Sequence, residues 1–153
     1  VRVMTARLTS SIPVPPWART LSLAPSSPGE AEEVVTLEDI RGGEIPGGLL
    51  EECVALTRAN MAEMYDFSSW KWSDAAKERS FSHDSAHIIV ARGMEGQLWG
   101  FFHFRFELEE NVLTHQTEAS LYVHELQVAE EMQGRGLGRH LMAVAESLAE
   151  EYD

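Results

Sequence analysis

Cysteine is almost absent from this chain. Cys53 is its only one in 153 residues, so no internal disulfide can form, and the composition fits a reducing compartment. Long apolar runs are missing as well: no stretch of about 18 uncharged apolar residues occurs, which argues against a membrane-spanning helix. Basic residues are scarce, 12 lysines and arginines against 25 aspartates and glutamates, for a formal charge of −13. Such a surface repels nucleic acid and attracts cationic partners, basic peptides among them, and it also keeps a chain soluble. In the first 29 residues it is acid that is missing. That stretch holds Arg2, Arg7 and Arg19 with many serines and prolines and no aspartate or glutamate. It has the composition of a transit peptide or of a disordered tail.

What is present describes one globular domain. The length allows one core rather than two, and a hydrophobic share of 44% with 24% charged residues is ordinary for a folded chain. Folded sequence is expected over residues 30–153, behind a disordered or non-native tail over 1–29. Residues 34–37 are short and β-branched, which reads as a strand. Residues 49–64 read as a helix, with Leu50, Cys53, Val54, Met61 and Met64 on one face. Ser73 suits the cap of a shorter helix, with Asp74 in its first turn. Strands are predicted at 87–92, 98–108 and 120–128, with a loop over 111–119. A last helix from Gly138 carries its apolar stripe on Leu141, Ala145, Leu148 and Tyr152. The chain opens without methionine and stops directly after this helical segment, so both ends read as cut.

Gln133-Gly134-Arg135-Gly136-Leu137-Gly138 lies between a predicted strand and this helix. Three glycines in five residues let the backbone turn with its amides exposed. The helix start adds free N–H groups and a positive dipole end, so the loop suits a pyrophosphate, with Arg135 and Arg139 available for charge-assisted contacts. The Gly-Lys-Ser/Thr ending of a Walker loop is absent, and the glycine spacing is not that of the dinucleotide fold. Eight residues upstream stands Glu125. By strand alternation it shares a face with Leu121 and Val123, while Tyr122, His124 and Leu126 point the other way. A carboxylate among apolar neighbours holds a proton more readily, a disposition that suits a general base.

The pattern Gln/Arg-x-x-Gly-x-Gly/Ala, filled here by Gln133, Gly136 and Gly138, resembles the acetyl-CoA loop of the GNAT acetyltransferases, and the likeness covers roughly residues 34–153. It implies an α/β (α+β) fold, the GNAT acyl-CoA acyltransferase fold, with a mixed central sheet flanked by helices and a C-terminal part that is missing here. It also implies acetyl-CoA as cosubstrate and no metal. A narrower likeness rests on Leu56-Thr57-Arg58-Ala59-Asn60-Met61, Met64-Tyr65, Trp70-Lys71-Trp72, His103-Phe104-Arg105-Phe106 and Tyr122-Val123-His124-Glu125-Leu126-Gln127. These runs are similar to the NatD branch, which acetylates the α-amine of core histones whose tails begin Ser-Gly-Arg-Gly.

By that resemblance Glu125 matches the general base. Tyr65 and Glu107 match residues that hold the first substrate residues, although the branch more usually has Asp at the latter. Trp70 matches an aromatic wall, and Tyr122 and His124 flank the base, with Tyr commoner at the second. Leu126, Gln127 and Val128 would offer backbone groups to the pantetheine arm, and Gly134, Arg135, Gly136, Leu137, Gly138 and Arg139 would hold the pyrophosphate. The partners implied are basic protein N-terminal tails, met in nucleus and cytoplasm by a monomer, with neither direct nucleic-acid binding nor membrane attachment. Competing readings are acetylation of another amine on the same fold, and an inactive truncated fragment. His83 and His87 stand four apart, but His87 opens a predicted strand and no third ligand lies at useful spacing.

Overall fold

The computed structural model describes residues 12–152. Five strands form one sheet in the order β1 (Thr20–Leu23), β2 (Glu33–Arg41), β3 (His87–Arg92), β4 (Leu98–Glu110), β5 (Thr117–Val128). Every described pairing is antiparallel, so the mixed sheet that the resemblance implied is not seen among the described residues. Helices α1 (Gly47–Phe67) and α2 (Asp74–Phe81) are inserted between β2 and β3, and α3 (Leu137–Tyr152) follows β5.

The sheet is covered on both faces, which explains its strand sequences. Ile89 and Ala91 of β3 and Phe102 and Phe104 of β4 point into one apolar cluster, with Leu137, Leu141, Val144, Ala145 and Leu148 of α3. Ile88, Val90 and Phe101, one residue out of step, point into a second cluster with Leu49, Cys53 and Val54 of α1 and Phe81 of α2. A strand buried on both sides reads as a continuous apolar run, as His87–Arg92 does. The expected cap of α2 is present: Ser73 accepts a hydrogen bond from the Ala76 amide at 3.2 Å.

Several boundaries differ from expectation. The start of the fold lies well before Glu30. Thr20–Leu23 pairs with Glu33–Thr36, and Ile12, Val14, Ala18 and Leu23 are buried in the α3-side cluster. Prolines 13, 15 and 16 lack amide donors, which keeps that stretch out of the ladder, but a four-residue edge strand needs a partner on one side only. Residues 1–11, with Arg2 and Arg7, lie outside the described residues. The buried stripe of α1 is Leu49, Cys53, Val54 and Thr57, while Met64 is exposed, because the C-terminal half of this helix faces the site described below rather than the core. The expected loop over 111–119 is shorter, since Thr117–Ala119 pairs with Leu108–Glu110. Its turn is held by the Asn111 side chain, which accepts from the Leu113 and Thr114 amides at 3.0 and 3.2 Å.

Candidate active site

The site is shaped by an irregularity between β4 and β5. His103 lies opposite Glu125 and Phe104 opposite Val123, so β5 carries one extra residue, His124, between these pairs. Such a bulge resets the side-chain alternation. Leu121 and Val123 before it and Leu126 and Val128 after it all pack toward the α3-side cluster. Tyr122, His124, Glu125 and Gln127 come out together on the α1/α2 face. There the His124 ring stacks on His103 at 4.9 Å, and Tyr122 meets His124 edge-on at 4.7 Å. Glu125 therefore does not share a face with Leu121 and Val123, as strict alternation had it, and its surroundings are polar rather than apolar.

Glu125 has a partner on each oxygen. Lys77 of α2 donates to Oε2 at 2.6 Å, and the Gln127 side chain donates to Oε1 at 2.6 Å. Gln127 is fixed in turn by Asn60 of α1, which donates to its Oε1 at 2.9 Å and to the Val128 carbonyl at 3.1 Å. The Lys77 and Glu125 side chains are only 17% and 9% exposed, so this is not a surface pair. Burial, the largest influence on Lys77, disfavours its ammonium. Hydrogen bonding to Glu125 and Tyr65 and the charges of both outweigh it, and Lys77 titrates above the ordinary lysine value. Its Nζ lies 5.3 Å from the Tyr65 ring centroid and 6.0 Å from that of Trp72. Arg58 Nε donates to Asp74 Oδ1 at 3.0 Å and ties α1 to the start of α2, which holds Lys77 in register with β5.

The remaining expected substrate residues border this cluster. Glu107 and His124 are joined by a 3.1 Å hydrogen bond, so two of the expected substrate residues touch each other. Trp70 is 78% exposed and lines an open cavity of ≈ 220 Å³ with Tyr65, Lys71, Ser73, Ala76, Lys77 and Ser80. Beneath His124, His103 is wholly buried. Burial first, and then the charges of His124, Arg105, Lys77 and His83, push its pKa down to about 3. As a neutral ring it accepts a long 3.4 Å bond from Arg105 on Nε2, and its Nδ1 has no hydrogen-bond partner among the described residues.

The glycine loop follows the C-terminal end of β5, past Val128. Gly134 and Gly136 have φ of +74° and +97°, conformations that side chains resist, and open space lies where their Cβ atoms would be. Gln133 anchors the loop by donating to the Val128 carbonyl at 3.1 Å. The first amides of α3 find no acceptor within the helix, so Leu137, Gly138 and Arg139 can offer backbone N–H groups to an anion, and the Arg139 side chain is exposed. This arrangement fits the pyrophosphate of acetyl-CoA. The contact expected of the Arg135 side chain is corrected. The Arg135 guanidinium turns inward, donating to the Ala24 carbonyl at 2.9 Å and the Leu23 carbonyl at 3.3 Å, so it braces the loop against β1 rather than reaching outward. The Leu137 side chain is core, and only its amide faces the loop. The carbonyl of Val128 is already taken by Asn60 and Gln133.

The model of the acetyltransferase (GNAT) family matches residues 51–153. The chain belongs to the GNAT family. Solved structures with the same fold include a mutant of the BH1408 protein from Bacillus halodurans, at TM-score 0.57 and 12% identity over 76% of each chain. A ribosomal-protein-alanine N-acetyltransferase from Brucella melitensis biovar Abortus 2308 matches at TM-score 0.51 and 19% identity, over 77% of this chain and 73% of that one. An aminoglycoside acetyltransferase from an uncultured soil metagenomic sample matches at TM-score 0.52 and 18% identity, over 76% and 70%. At these identities the likeness is one of fold. Membership makes the chain an acyltransferase by family, and GNAT enzymes generally use acetyl-CoA.

Lys77 and His103 escaped the sequence reading as site residues. Lys77 is 48 positions from Glu125 and sits among ordinary helix residues, and no local signal marks it. His103 and Asn60 did stand inside the quoted runs, and a histidine flanked by phenylalanines on a buried strand was the available hint.

Proposed function

We propose that this GNAT chain transfers the acetyl group of acetyl-CoA to the α-amine of a protein N-terminus, with basic histone tails beginning Ser-Gly-Arg-Gly as its substrate class. The observation that carries the reading is the bulge at His124, which turns Glu125, His124 and Tyr122 toward α1 and α2. An ammonium has no lone pair, so an acceptor amine must lose a proton before it can attack the thioester carbon. Glu125 takes that proton, the C–N bond forms, and the C–S bond breaks. The second proton shed by the nitrogen passes to the leaving sulfur, so coenzyme A leaves as its thiol, and Glu125 returns its own proton to solvent. Glu107, oriented by His124, offers a carboxylate to a substrate arginine, and Tyr65 and Trp70 supply an aromatic flank. The nucleus and cytoplasm are where such tails are met.

Peptide profiling tests this. With acetyl-CoA saturating, a peptide beginning Ser-Gly-Arg-Gly is expected to show kcat/KM at least about tenfold above the same peptide with its arginine replaced by alanine, the value of one charge-assisted pair. Equal rates, or a preference for aminoglycosides over peptides, would assign the chain to another amine.

A further inference from the structure

One oxygen of Glu125, the base of the proposed reaction, is already paired with an ammonium. Oε1 is committed to Gln127, which Asn60 holds in place. That leaves Oε2 for an incoming ammonium, and the Lys77 ammonium sits on it at 2.6 Å, beside the Tyr65 and Trp72 rings. We infer that Lys77 is a specificity-determining residue that fills the acceptor-amine position until a substrate ammonium displaces it. The inference rests on Glu125 being the base of the proposed reaction.

Three features support an exchangeable occupant rather than a permanent strut. The group on Oε2 has the same chemistry as the acceptor, a primary alkylammonium, so substrate binding swaps one cation for another beside a buried carboxylate. A neutral acceptor would leave that carboxylate without a cation, which is costly at such burial. Lys77 has somewhere to go, because its side chain borders the ≈ 220 Å³ cavity lined by Ser73, Ser80 and Trp70. And it leaves as a cation, since it stays protonated well beyond neutral pH. The exchange therefore selects amines that arrive charged, on ligands with further anchors to offset the lost pair.

The test compares the full chain with Lys77→Met and Lys77→Arg. An internal competitor reduces apparent affinity by the fraction of protein in which the site is clear. Lys77→Met is expected to lower the peptide KM and raise kcat/KM about five- to tenfold, while Lys77→Arg, whose fork grips a carboxylate more firmly, is expected to lower kcat/KM below the parent value. Titration with n-butylammonium followed by NMR is expected to show the same ordering without any turnover, and acetyl-CoA affinity by calorimetry checks that each variant is folded. If Lys77→Met does not fold, Lys77→Gln takes its place. An unchanged or lower kcat/KM together with unchanged n-butylammonium affinity would make Lys77 a structural strut and overturn the inference. Tighter n-butylammonium binding with no peptide acetylated by any form would leave the inference standing and remove the histone-tail reading.

Discussion

Glu125→Gln is expected to lower turnover about 10²- to 10⁴-fold, the usual worth of a positioned general base, while acetyl-CoA affinity stays at the parent value. The substitution keeps the shape of the side chain and an oxygen for Lys77, so the contact with α2 is retained, while its amide nitrogen cannot accept the bond from Gln127. What it removes is the group that accepts the proton of the acceptor ammonium. Affinity for acetyl-CoA is separable because the loop at 133–138 and the first amides of α3 lie past the end of β5, and the loop is anchored by Gln133 to Val128 rather than through Glu125. Steady-state kinetics with peptide and calorimetry with acetyl-CoA measure the two quantities. Unchanged turnover would take Glu125 out of the mechanism.

Acid is expected to weaken the fold through His103. In the folded chain this ring holds its proton only near pH 3, whereas the ordinary value is 6.5. Between those two values the unfolded chain binds a proton that the folded chain refuses, so stability falls as pH drops. The contribution is intact above about pH 6.5 and is down by about 2 kcal/mol at pH 5, with the rest lost on approach to pH 3. Urea unfolding at pH 7 and pH 5 measures this. His103→Phe retains an aromatic ring beside Phe81, whose centroid is 5.5 Å away, and removes the titrating group. The parent is expected to lose about 2 kcal/mol more than this variant over the interval. Equal losses would mean that the buried ring does not resist protonation.

How much of this was legible follows from which interactions are local. The apolar run at 87–92 and the aromatic-rich run after Leu98 are strand signals in themselves, and the glycine spacing at 134–138 is a loop signal in itself. The Ser73 cap of α2 is local too. The face of Glu125 was not legible, because a bulge is a relation between the registers of two strands and leaves no mark in the periodicity of either. Residues around 20–23 were hidden by prolines and serines on both sides, and by the absence of acid, which made a folded edge strand look like a tail. Arg135 was read as a phosphate ligand from its place in the loop, while its orientation is decided by Leu23 and Ala24, more than a hundred positions away. Glu107 and His124 were each identified singly, and their contact emerges only from the pairing of β4 with β5.

The most direct test of the central claim is calorimetric titration of the chain with acetyl-CoA, beside Gly136→Val. A glycine at φ +97° cannot be replaced by a β-branched residue without strain of about 1–3 kcal/mol or a change of loop path. Saturable binding at one site, weakened tenfold or more by Gly136→Val, is the expected result. A cooperatively folded chain that binds no acetyl-CoA, or binds it equally well with valine at 136, would contradict the account.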